Sequence, residues 1–464
     1  MAVLPLFFAG LLSAGSPVFL LLALPGALLA RRYLLFGAAV FAAGFLRVAL
    51  SPPVPPALPP LDTQIIGRVV STPTISPSWQ RTLVDTGDRY LLLYTRPDRD
   101  LRAGDVVRYE AKPRKLDGPG AAYWYRRGVR QSTTVYIGND IELVSAGAGL
   151  KAIGSAWRRD LLSRLEAHLP VEVAAVAIGI VAGQQDLVPD WITDDMTRAG
   201  TLHLLATSGF NVLLLAGALL FLASHLPAPR WLQILAVVAL LLIYSDAVGG
   251  RAPVMRATVM AGVFFSAYFF NRSPDGLSAM ALAAIACALA EPWSVLDAGF
   301  QLSFLVVFGL LLYTPPAFRS IRAWTEERPW PKPVRWAVLG TASSLATTLI
   351  AMAFATPILS ARFGTFSLVA PLANLVTSLA VPFVYLGVAA GSVGDLFSAD
   401  IARGADAVVT GPFAGSVIRA NHSMASWPMA GVEGMFMPIW AACVLYLALF
   451  ALSRPAKPSE PDES

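Results

Sequence analysis

Four polar side chains open an otherwise apolar run of the chain at residues 203–224. They belong to the stretch "HLLATSGFN" and are His203, Thr207, Ser208 and Asn211. Each costs free energy in hydrocarbon unless it has a partner, so such residues commonly face a bundle interior or a water-filled path. On one α-helix, His203, Thr207 and Asn211 lie within about 80° around the axis and predict a polar stripe. The alternative is structural, with the hydroxyls bonded to carbonyls one turn earlier.

Further polar residues lie in apolar stretches where they can meet this stripe. Arg256 falls within "APVMRATVMAGVFF", where a guanidinium needs a carboxylate, carbonyl oxygens or a phosphate beside it. Asp297 and Gln301 are four residues apart, so they share a helical face. The other members of the group are Arg251, Ser303 and Asn374. Two interpretations stay open: Asp297 forms a structural ion pair with one of the arginines, or the arginines line a path for anions.

Several kinds of chemistry have no support in the sequence. The four histidines do not have the spacing of a zinc site, and both cysteines lie in apolar helices. No GxxxxGK[ST] motif occurs, so the chain carries no phosphate-binding loop of an ATPase. Ser208 and His203 are five residues apart and point about 140° from each other on a helix, a poor geometry for proton transfer. We therefore expect a protein that is not an enzyme and that has no catalytic residue, metal or cofactor.

Membrane helices are the elements that must position these residues. The chain has 464 residues, of which 56% are hydrophobic and 14% are charged, against about 25% charged residues in soluble domains. Its mean hydropathy is +0.60. Apolar stretches that cross the roughly 30 Å hydrocarbon core, or nearly so, predict nine to eleven spans. The clearest stretches are 17–30, 33–50, 203–224, 231–249, 254–270, 336–355, 366–390 and 435–453.

Residues 62–146 have a different character and follow the proline-rich stretch "SPPVPPALPP". Short alternating runs such as "QIIGRVV" and "RYLLLYT", separated by Gly, Pro and Asp, predict five or six strands. A small oligonucleotide-binding type of barrel is the common five-stranded arrangement. Thirteen Arg or Lys and ten Asp or Glu give the segment a weak basic excess. The predicted fold class is a polytopic α-helical membrane protein with an inserted small β-barrel, an oligonucleotide-binding-like extramembrane domain.

These patterns also set the predicted domain boundaries. We predict N-terminal transmembrane helices over 1–50, the β domain over 62–146, an amphipathic helix over 151–168, a helical domain over 171–453 and a disordered tail over 454–464. In the amphipathic helix, Ile153, Trp157, Leu161, Leu165 and Leu169 share one face, and the opposite face carries Arg158, Arg159 and Arg164. This pattern predicts a helix that lies along the membrane interface, with packing against the barrel as the alternative.

Basic residues determine the predicted topology. Arg31 and Arg32 place a short turn in the cytoplasm, which leaves the β domain outside. The loop 314–335 carries five Arg or Lys residues and is also predicted to be cytoplasmic. Passing from outside to inside takes an odd number of crossings, yet six candidate segments lie between these points, namely 171–183, 203–224, 231–249, 254–270, 277–290 and 300–314. One of them should not span, and we choose the thirteen-residue stretch 171–183.

Taken together, the motifs resemble those of a known family. The segment "AGTLHLLATSGFNVLLLAG" is similar to the motif of ComEC-type competence proteins, in which a glycine-bounded "HLLAxSG" opens a membrane helix. The other similar blocks are "PVMRATVMA" at 253–261, "PWSVLDAGFQLSFLVVFGLLL" at 292–312, "ATPILSARFGTFSLVAPLANLV" at 355–376, and "LRAGDVVRYEAK" and "GPGAAYWYRRGV" in the β segment. The resemblance runs from the first helices to about residue 390.

The resemblance implies a bacterial inner-membrane protein that internalises DNA. It implies an oligonucleotide-binding barrel on the outer face, followed by a competence-type helical channel that carries single-stranded DNA into the cytoplasm. The positions that match the family's motifs are His203, Ser208, Gly209, Arg256, Asp297, Gln301, Ser303 and Asn374. With Thr207, Asn211 and Arg251 they form the predicted path. The predicted DNA-contacting group of the barrel is Tyr123, Trp124, Tyr125, Arg126 and Arg127, through stacking and charge, with burial of the aromatic residues as the alternative.

The resemblance also implies partners. They are single-stranded DNA, the lipid bilayer, a DNA receptor and a cytoplasmic motor protein. The family typically has a second histidine where this chain has Asn211, so a role that needs that imidazole is not expected. Larger members add a C-terminal metallo-β-lactamase-like domain; we expect a short form without it, so that any strand degradation falls to a separate nuclease. A homodimer, a transporter of another anionic substrate, and an intramembrane enzyme or structural remnant of the family stay open.

Overall fold

The computed structural model describes the chain between Gln64 and Glu433, with short gaps. The described residues are 64–71, 73–117, 121–126, 129–135, 141–148, 150–205, 209–249, 252–269, 275–290, 297–363, 365–428 and 430–433. The transmembrane helices predicted over 1–50 and the tail predicted over 454–464 lie outside these residues. The apolar stretch 435–453 also lies outside them.

The first described part of the chain forms an eight-stranded sheet. Its strands are β1 (Gln64–Val69), β2 (Thr74–Ile75), β3 (Gln80–Asp85), β4 (Tyr90–Thr95), β5 (Val106–Glu110), β6 (Arg114–Lys115), β7 (Gln131–Thr134) and β8 (Glu142–Ser145). Burial alternates along β1 and β3, because successive side chains of a strand point to opposite faces. One face forms an apolar core that includes Ile65, Val84, Leu93 and Tyr109.

The order of strands in the sheet is β6-β7-β4-β3-β1-β5-β8, with β2 paired to β3. All pairs are antiparallel except β4 and β7, in which Tyr94 lies opposite Thr134. A six-residue helix, α1 (Ala121–Arg126), separates β6 from β7. Among the described residues the order is an open path that does not return from β8 to β6. The predicted β domain is therefore a sheet here, and its closure into a barrel stays a prediction.

The rest of the described chain is helical. The α-helices are α2 (Leu150–His168), α3 (Val171–Ala182), α4 (Asp190–Ala199), α5 (Gly209–Ser224), α6 (Arg230–Ala247), α7 (Ala252–Phe269), α8 (Gly276–Ala290), α9 (Ala298–Glu326), α10 (Lys332–Phe363), α11 (Ala370–Asp395), α12 (Ala399–Ala405) and α13 (Gly411–Ala425). Leu202–Leu204 is a 3-10 turn and Asp406–Thr410 is π-helical. Two short strands, β9 (Thr365–Phe366) and β10 (Val432–Glu433), pair with each other.

Four of the described helices are long and apolar enough to cross a membrane, namely α6, α9, α10 and α11. Shorter apolar helices lie in α3, α5, α7 and α8. The twelve residues of α3 extend about 18 Å at 1.5 Å per residue, less than the roughly 30 Å core. The four long apolar helices fit a helical membrane protein. Its predicted total of nine to eleven spans stays a prediction, since three of the apolar stretches lie outside the described residues.

Helix α2 packs against the sheet. Arg158 Nη2 donates to the Pro73 carbonyl oxygen at 3.3 Å, and Arg159 Nη2 donates to the Leu101 carbonyl oxygen at 2.8 Å. Arg159 also forms an ion pair with Asp100. The long guanidinium side chains of α2 thus bond to the loops that connect the strands.

The orientation predicted for the helix over 151–168 differs from the structure. Arg158, expected on the outer polar face, is 5% exposed, whereas Ile153 of the expected apolar face is 65% exposed. The Arg164 side chain is also buried. Packing against the sheet, the alternative to an interfacial helix, agrees with these contacts, because backbone carbonyls and a carboxylate offset the cost of burying each guanidinium.

Helix α3 lies in the main hydrophobic core, against α2, α11 and α13. All residues from Ala174 to Ala182 are buried. The helix ends at Gly183, whose φ of 69° is left-handed, and the Gly183 amide donates to the Gly179 carbonyl oxygen at 3.0 Å. A glycine takes this conformation without a Cβ clash, so it stops the helix inside the bundle.

A buried charged cluster joins α2 to the π-helical segment. Asp406 has no solvent exposure, and its Oδ2 lies 2.9 Å from His168 Nδ1 and 3.3 Å from Arg164 Nε. The Thr410 hydroxyl donates to Asp406 Oδ1 at 3.1 Å. Arg164 also donates to the Val388 carbonyl oxygen at 3.1 Å. The cluster therefore connects α2, the π-helical segment and α11 through Arg164 and Asp406.

Candidate functional site

Arg256 is the buried charge of the candidate site. It lies in the first turns of α7, where Pro253 is tolerated because first-turn amides have no intrahelical partner. Its Nη2 donates to the Gly299 carbonyl oxygen at 2.9 Å, and its Cζ lies 5.8 Å from the centre of the Phe300 ring. The residue is only 4% exposed. These contacts hold a positive charge at a fixed position between α7 and the start of α9.

Three further predicted residues lie at the same helix start. Asp297 immediately precedes α9, and its carbonyl oxygen accepts the Gln301 amide at 3.1 Å. Asp297, Gln301 and Ser303 are half-buried. The structure therefore places these residues in the first turns of the helix that contacts Arg256. The predicted ion pair between Asp297 and an arginine stays a prediction, and Arg251 lies outside the described residues.

Side chains from three helices converge on the C-terminal end of α3. The Asn211 amide nitrogen of α5 donates to the Ile180 carbonyl oxygen at 3.3 Å, and the Tyr385 hydroxyl of α11 donates to the same oxygen at 3.1 Å. The Tyr244 hydroxyl of α6 donates to the Val181 carbonyl oxygen at 2.6 Å and lies 3.1 Å from the Tyr385 hydroxyl. The last carbonyls of a helix lack intrahelical partners, so these side chains satisfy them inside the bundle.

Several buried polar atoms of the bundle have no hydrogen-bond partner among the described residues. They include the oxygens Gln184 Oε1, Asn211 Oδ1, Thr258 Oγ1 and Asn374 Oδ1. An unpaired buried acceptor costs about 1–3 kcal/mol, and ordered water or a polar ligand commonly supplies the missing bond. Thr258 is two residues from Arg256, and Gln184 follows the end of α3. Each of these buried oxygens is therefore suited to bind water or a polar ligand.

The stretch that opens the predicted stripe is not one continuous α-helix. Leu202–Leu204 is a 3-10 turn, and α5 begins at Gly209. His203 is exposed, whereas Asn211 is completely buried. The predicted spacing of these two residues around one helix axis is therefore wrong, because the helix begins after His203. Thr207 and Ser208 lie outside the described residues.

The DNA-contacting group predicted in the β domain falls on α1. The Tyr125 hydroxyl donates to the Leu116 carbonyl oxygen, and Trp124 and Tyr125 pack against the small apolar cluster that contains Leu92 and Val129. Tyr125 thus contributes to packing, as in the burial alternative. Arg127 and the side chains of Tyr123 and Arg126 lie outside the described part of the chain.

Sequence reasoning did not find Tyr244, Tyr385, Gln184 or Thr258. Tyr385 stands alone in an apolar run, and 141 residues separate it from Tyr244, so no spacing in the sequence connects the two tyrosines. Their only signal is that a polar group inside a membrane helix needs a partner. Applying that rule to every hydroxyl and amide would have included them.

Two comparisons with known proteins identify the family. The family model described as "Competence protein" matches residues 180–456, more than half of the chain. ComE operon protein 3 of Bacillus subtilis (strain 168) is 25% identical over 342 residues, which cover 72% of this chain and 41% of that protein. The chain therefore matches less than half the length of this relative. No solved structure matches the chain. On the evidence of the family model, the chain belongs to the competence protein family.

Proposed function

We propose that this protein is a non-enzymatic inner-membrane channel that translocates single-stranded DNA into the cytoplasm during natural transformation. Membership of the competence protein family supports a role in DNA uptake. The observation that carries the channel assignment is the buried guanidinium of Arg256. Maintaining this charge in an apolar bundle is costly, which indicates a functional reason for it.

Phosphate is the group that this charge suits best. Each nucleotide of a translocating strand carries one negative charge, and a guanidinium matches phosphate geometry with its planar fork of donors. The contacts with Gly299 and Phe300 fix the side chain, so the charge does not have to be ordered again for each passing nucleotide. Arg256 is thus suited to bind each passing phosphate transiently rather than to hold one ligand permanently.

Polar acceptors deeper in the bundle support the same proposal. The unpaired oxygens of Asn211, Gln184 and Asn374 can bind water, which a strand needs for its sugars and base edges. They carry no charge, so they do not trap a phosphate. In this proposal these oxygens and His203 line the water-filled part of the path beside Arg256. No metal or cofactor takes part.

The proposal includes sidedness and partners. The β domain lies outside the cytoplasm, as the Arg31 and Arg32 turn predicts, and it forms the oligonucleotide-binding barrel that accepts DNA from a receptor. A cytoplasmic motor draws the strand inward, because this chain has no phosphate-binding loop of its own.

Uptake of labelled DNA into the cytoplasm of the source bacterium tests the proposal. We compare wild type, a deletion, Arg256→Gln, and the matched control Arg322→Gln, which changes an arginine whose side chain is 72% exposed. The expected result is loss of internalisation in the deletion and in Arg256→Gln, with DNA still bound outside the inner membrane. Arg322→Gln should take up DNA as wild type does. All variants are first checked for equal abundance in the membrane.

Two outcomes would contradict the proposal. If the deletion takes up DNA as well as wild type does, the chain has no role in DNA uptake, and a transporter of another anionic substrate becomes the better assignment. If the deletion fails but Arg256→Gln is normal at equal abundance, the role in uptake stands and the path through Arg256 is wrong.

A further inference from the structure

A groove on the sheet brings aromatic and basic side chains together. Tyr94 on β4 lies opposite Arg81 on β3 and Thr134 on β7 in the strand register, so these three side chains share one face. Trp79 precedes β3, and its ring centre lies 6.0 Å from that of Tyr94, with the ring planes at 65°. The groove has a volume of about 410 Å³ and is lined chiefly by Ser78, Trp79, Tyr94, Arg96, Ser132 and Thr134.

A second set of contacts fixes the wall of this groove. The Arg81 guanidinium carbon lies 5.4 Å from the ring centre of Trp79 and 5.7 Å from that of Trp124. Both distances are within the range of cation–π contacts. Arg81 thus contacts the indoles of both Trp79 and Trp124, and it holds the Trp79 indole beside the groove. Among the described side chains of the predicted group on α1, Trp124 contacts this site through Arg81.

The charge of the groove is positive. Arg96 is exposed and lines the groove, and Arg81 adds a second positive charge behind the indole. None of the described lining residues is acidic. Two half-buried aromatic rings beside one exposed guanidinium suit a ligand that joins flat rings to negative charges at short, regular spacing.

We propose that this groove binds a nucleotide of single-stranded DNA, with the base stacked on Trp79 or Tyr94 and the adjoining phosphate on Arg96. Stacking tolerates any base because every base has a π-face, and a duplex keeps its bases stacked on one another. The groove therefore distinguishes single strands from duplex without reading sequence. This inference deepens the proposed function, on which it rests for the source of the strand, and it assigns the receiving site of the β domain.

Binding of a fluorescein-labelled oligothymidylate of about 16 nucleotides to the purified full chain tests the inference. Anisotropy is measured for wild type, Tyr94→Ala and Trp79→Ala. The matched control is Tyr90→Ala, which removes an exposed tyrosine from the same strand and outside the groove. Loss of one stacking partner should weaken binding about tenfold. Tyr90→Ala should bind as wild type does, and Tyr94→Phe, which keeps the ring, should restore most of the affinity.

Salt dependence tests the role assigned to Arg96. Arg96→Gln should make the slope of log affinity against log salt shallower by about 0.7, the contribution of one phosphate contact with a single strand. Thermal unfolding of each variant in detergent shows that the sheet is intact. Equal affinity of wild type and both alanine variants, or equal affinity for a duplex or heparin, would overturn the groove assignment.

The experiments can contradict the groove assignment and the channel assignment independently of each other. If the alanine variants lose oligothymidylate binding but the deletion strain takes up DNA normally, nucleotide binding by the groove is supported and the proposed role in DNA uptake is contradicted. If the deletion strain does not take up DNA but the alanine variants bind and take up DNA as wild type does, the groove assignment is contradicted and the channel assignment is supported.

Discussion

Asp406 Oδ2 lies 2.9 Å from His168 Nδ1, although 238 residues separate the two in the chain. The same carboxylate lies 3.3 Å from Arg164 Nε, and none of it is exposed. Helix α2 is thereby fixed to the π-helical segment, and α2 also packs against the sheet. One carboxylate in a rare helical segment therefore helps to set the position of the β domain relative to the bundle.

Replacing this carboxylate should destabilise the protein strongly. Asp406→Ala leaves Arg164 buried beside the gap without its counter-charge, and breaking a buried pair in this way costs about 3–5 kcal/mol. Thermal unfolding in detergent measures the effect. The control is Asp400→Ala, which removes a carboxylate that is 87% exposed and paired with an exposed arginine; it should change the unfolding temperature little. Equal unfolding temperatures for the two variants would show that the buried cluster is not structural.

Two glycine-to-alanine substitutions should have opposite effects. A Cβ at Gly387 of α11 would lie 2.5 Å from Thr410 Oγ1 and 2.7 Å from the Thr410 amide nitrogen, so α11 and the π-helical segment would have to separate. Overpacking of this kind costs about 1–3 kcal/mol. Gly340 of α10 has nothing within 4 Å of the added atom, so Gly340→Ala should gain about 0.5–1 kcal/mol of helix stability. Unfolding of both variants under one condition checks the sign, and a stabilised Gly387→Ala would contradict the close packing.

Asn211→Leu should separate the folding role of Asn211 from its role in the path. The Ile180 carbonyl oxygen keeps its bond from Tyr385, so we expect the variant to fold and reach the membrane. It removes the buried unpaired oxygen, and DNA uptake should fall about tenfold, equivalent to about 1.4 kcal/mol. Tyr244→Phe, which removes one bond to the same end of α3, is the control for lost anchoring. If both variants lose uptake in proportion to their loss of stability, Asn211 has only a structural role.

Alkaline titration should reveal one buried phenol in the sheet. Burial raises the pKa of Tyr109 to about 12, although its hydrogen bond with Thr133 at 3.2 Å acts in the other direction. Because the folded chain favours the neutral phenol, this stabilisation is complete below the ordinary tyrosine pKa of about 10. It is lost as the pH rises through about 12. Phenolate absorbance of wild type and Tyr109→Phe should differ by one group that titrates near pH 12, and a difference near pH 10 would mean that Tyr109 is accessible.

Much of the architecture was predictable from local patterns. Strand alternation identified the β segment, as in "QIIGRVV", which forms β1. Apolar length identified α6, α10 and α11 as helices able to span, whereas the apolar stretch in α9 was not among the clearest candidates in the sequence. Arg256 was predicted as the informative charge because burying a guanidinium requires partners, and the structure supplies a carbonyl oxygen and an aromatic ring.

The remaining features depend on contacts that are distant in sequence. The parallel pairing of β4 with β7 joins strands that two other strands and a helix separate, and no local pattern records such a register. The side of α2 that carries Arg158 looked solvent-facing because its pairing carbonyl, on Pro73, is 85 residues away. His203 was assigned to a continuous helix because apolar periodicity cannot distinguish a 3-10 turn from the first turn of α5.

The enclosure of α3 has a consequence for synthesis. Its Ile180 carbonyl oxygen accepts the Tyr385 hydroxyl from 205 residues later in the chain, and α13, which follows still later, packs against the same helix. At about 5–20 residues per second, a ribosome needs roughly 10–40 s to reach Tyr385 after it has made α3. During that interval the twelve-residue helix has neither the length to insert alone nor its later neighbours α11 and α13. The core around α3 is therefore completed only after α13 has been made, and the apolar α3 segment stays without these contacts until then.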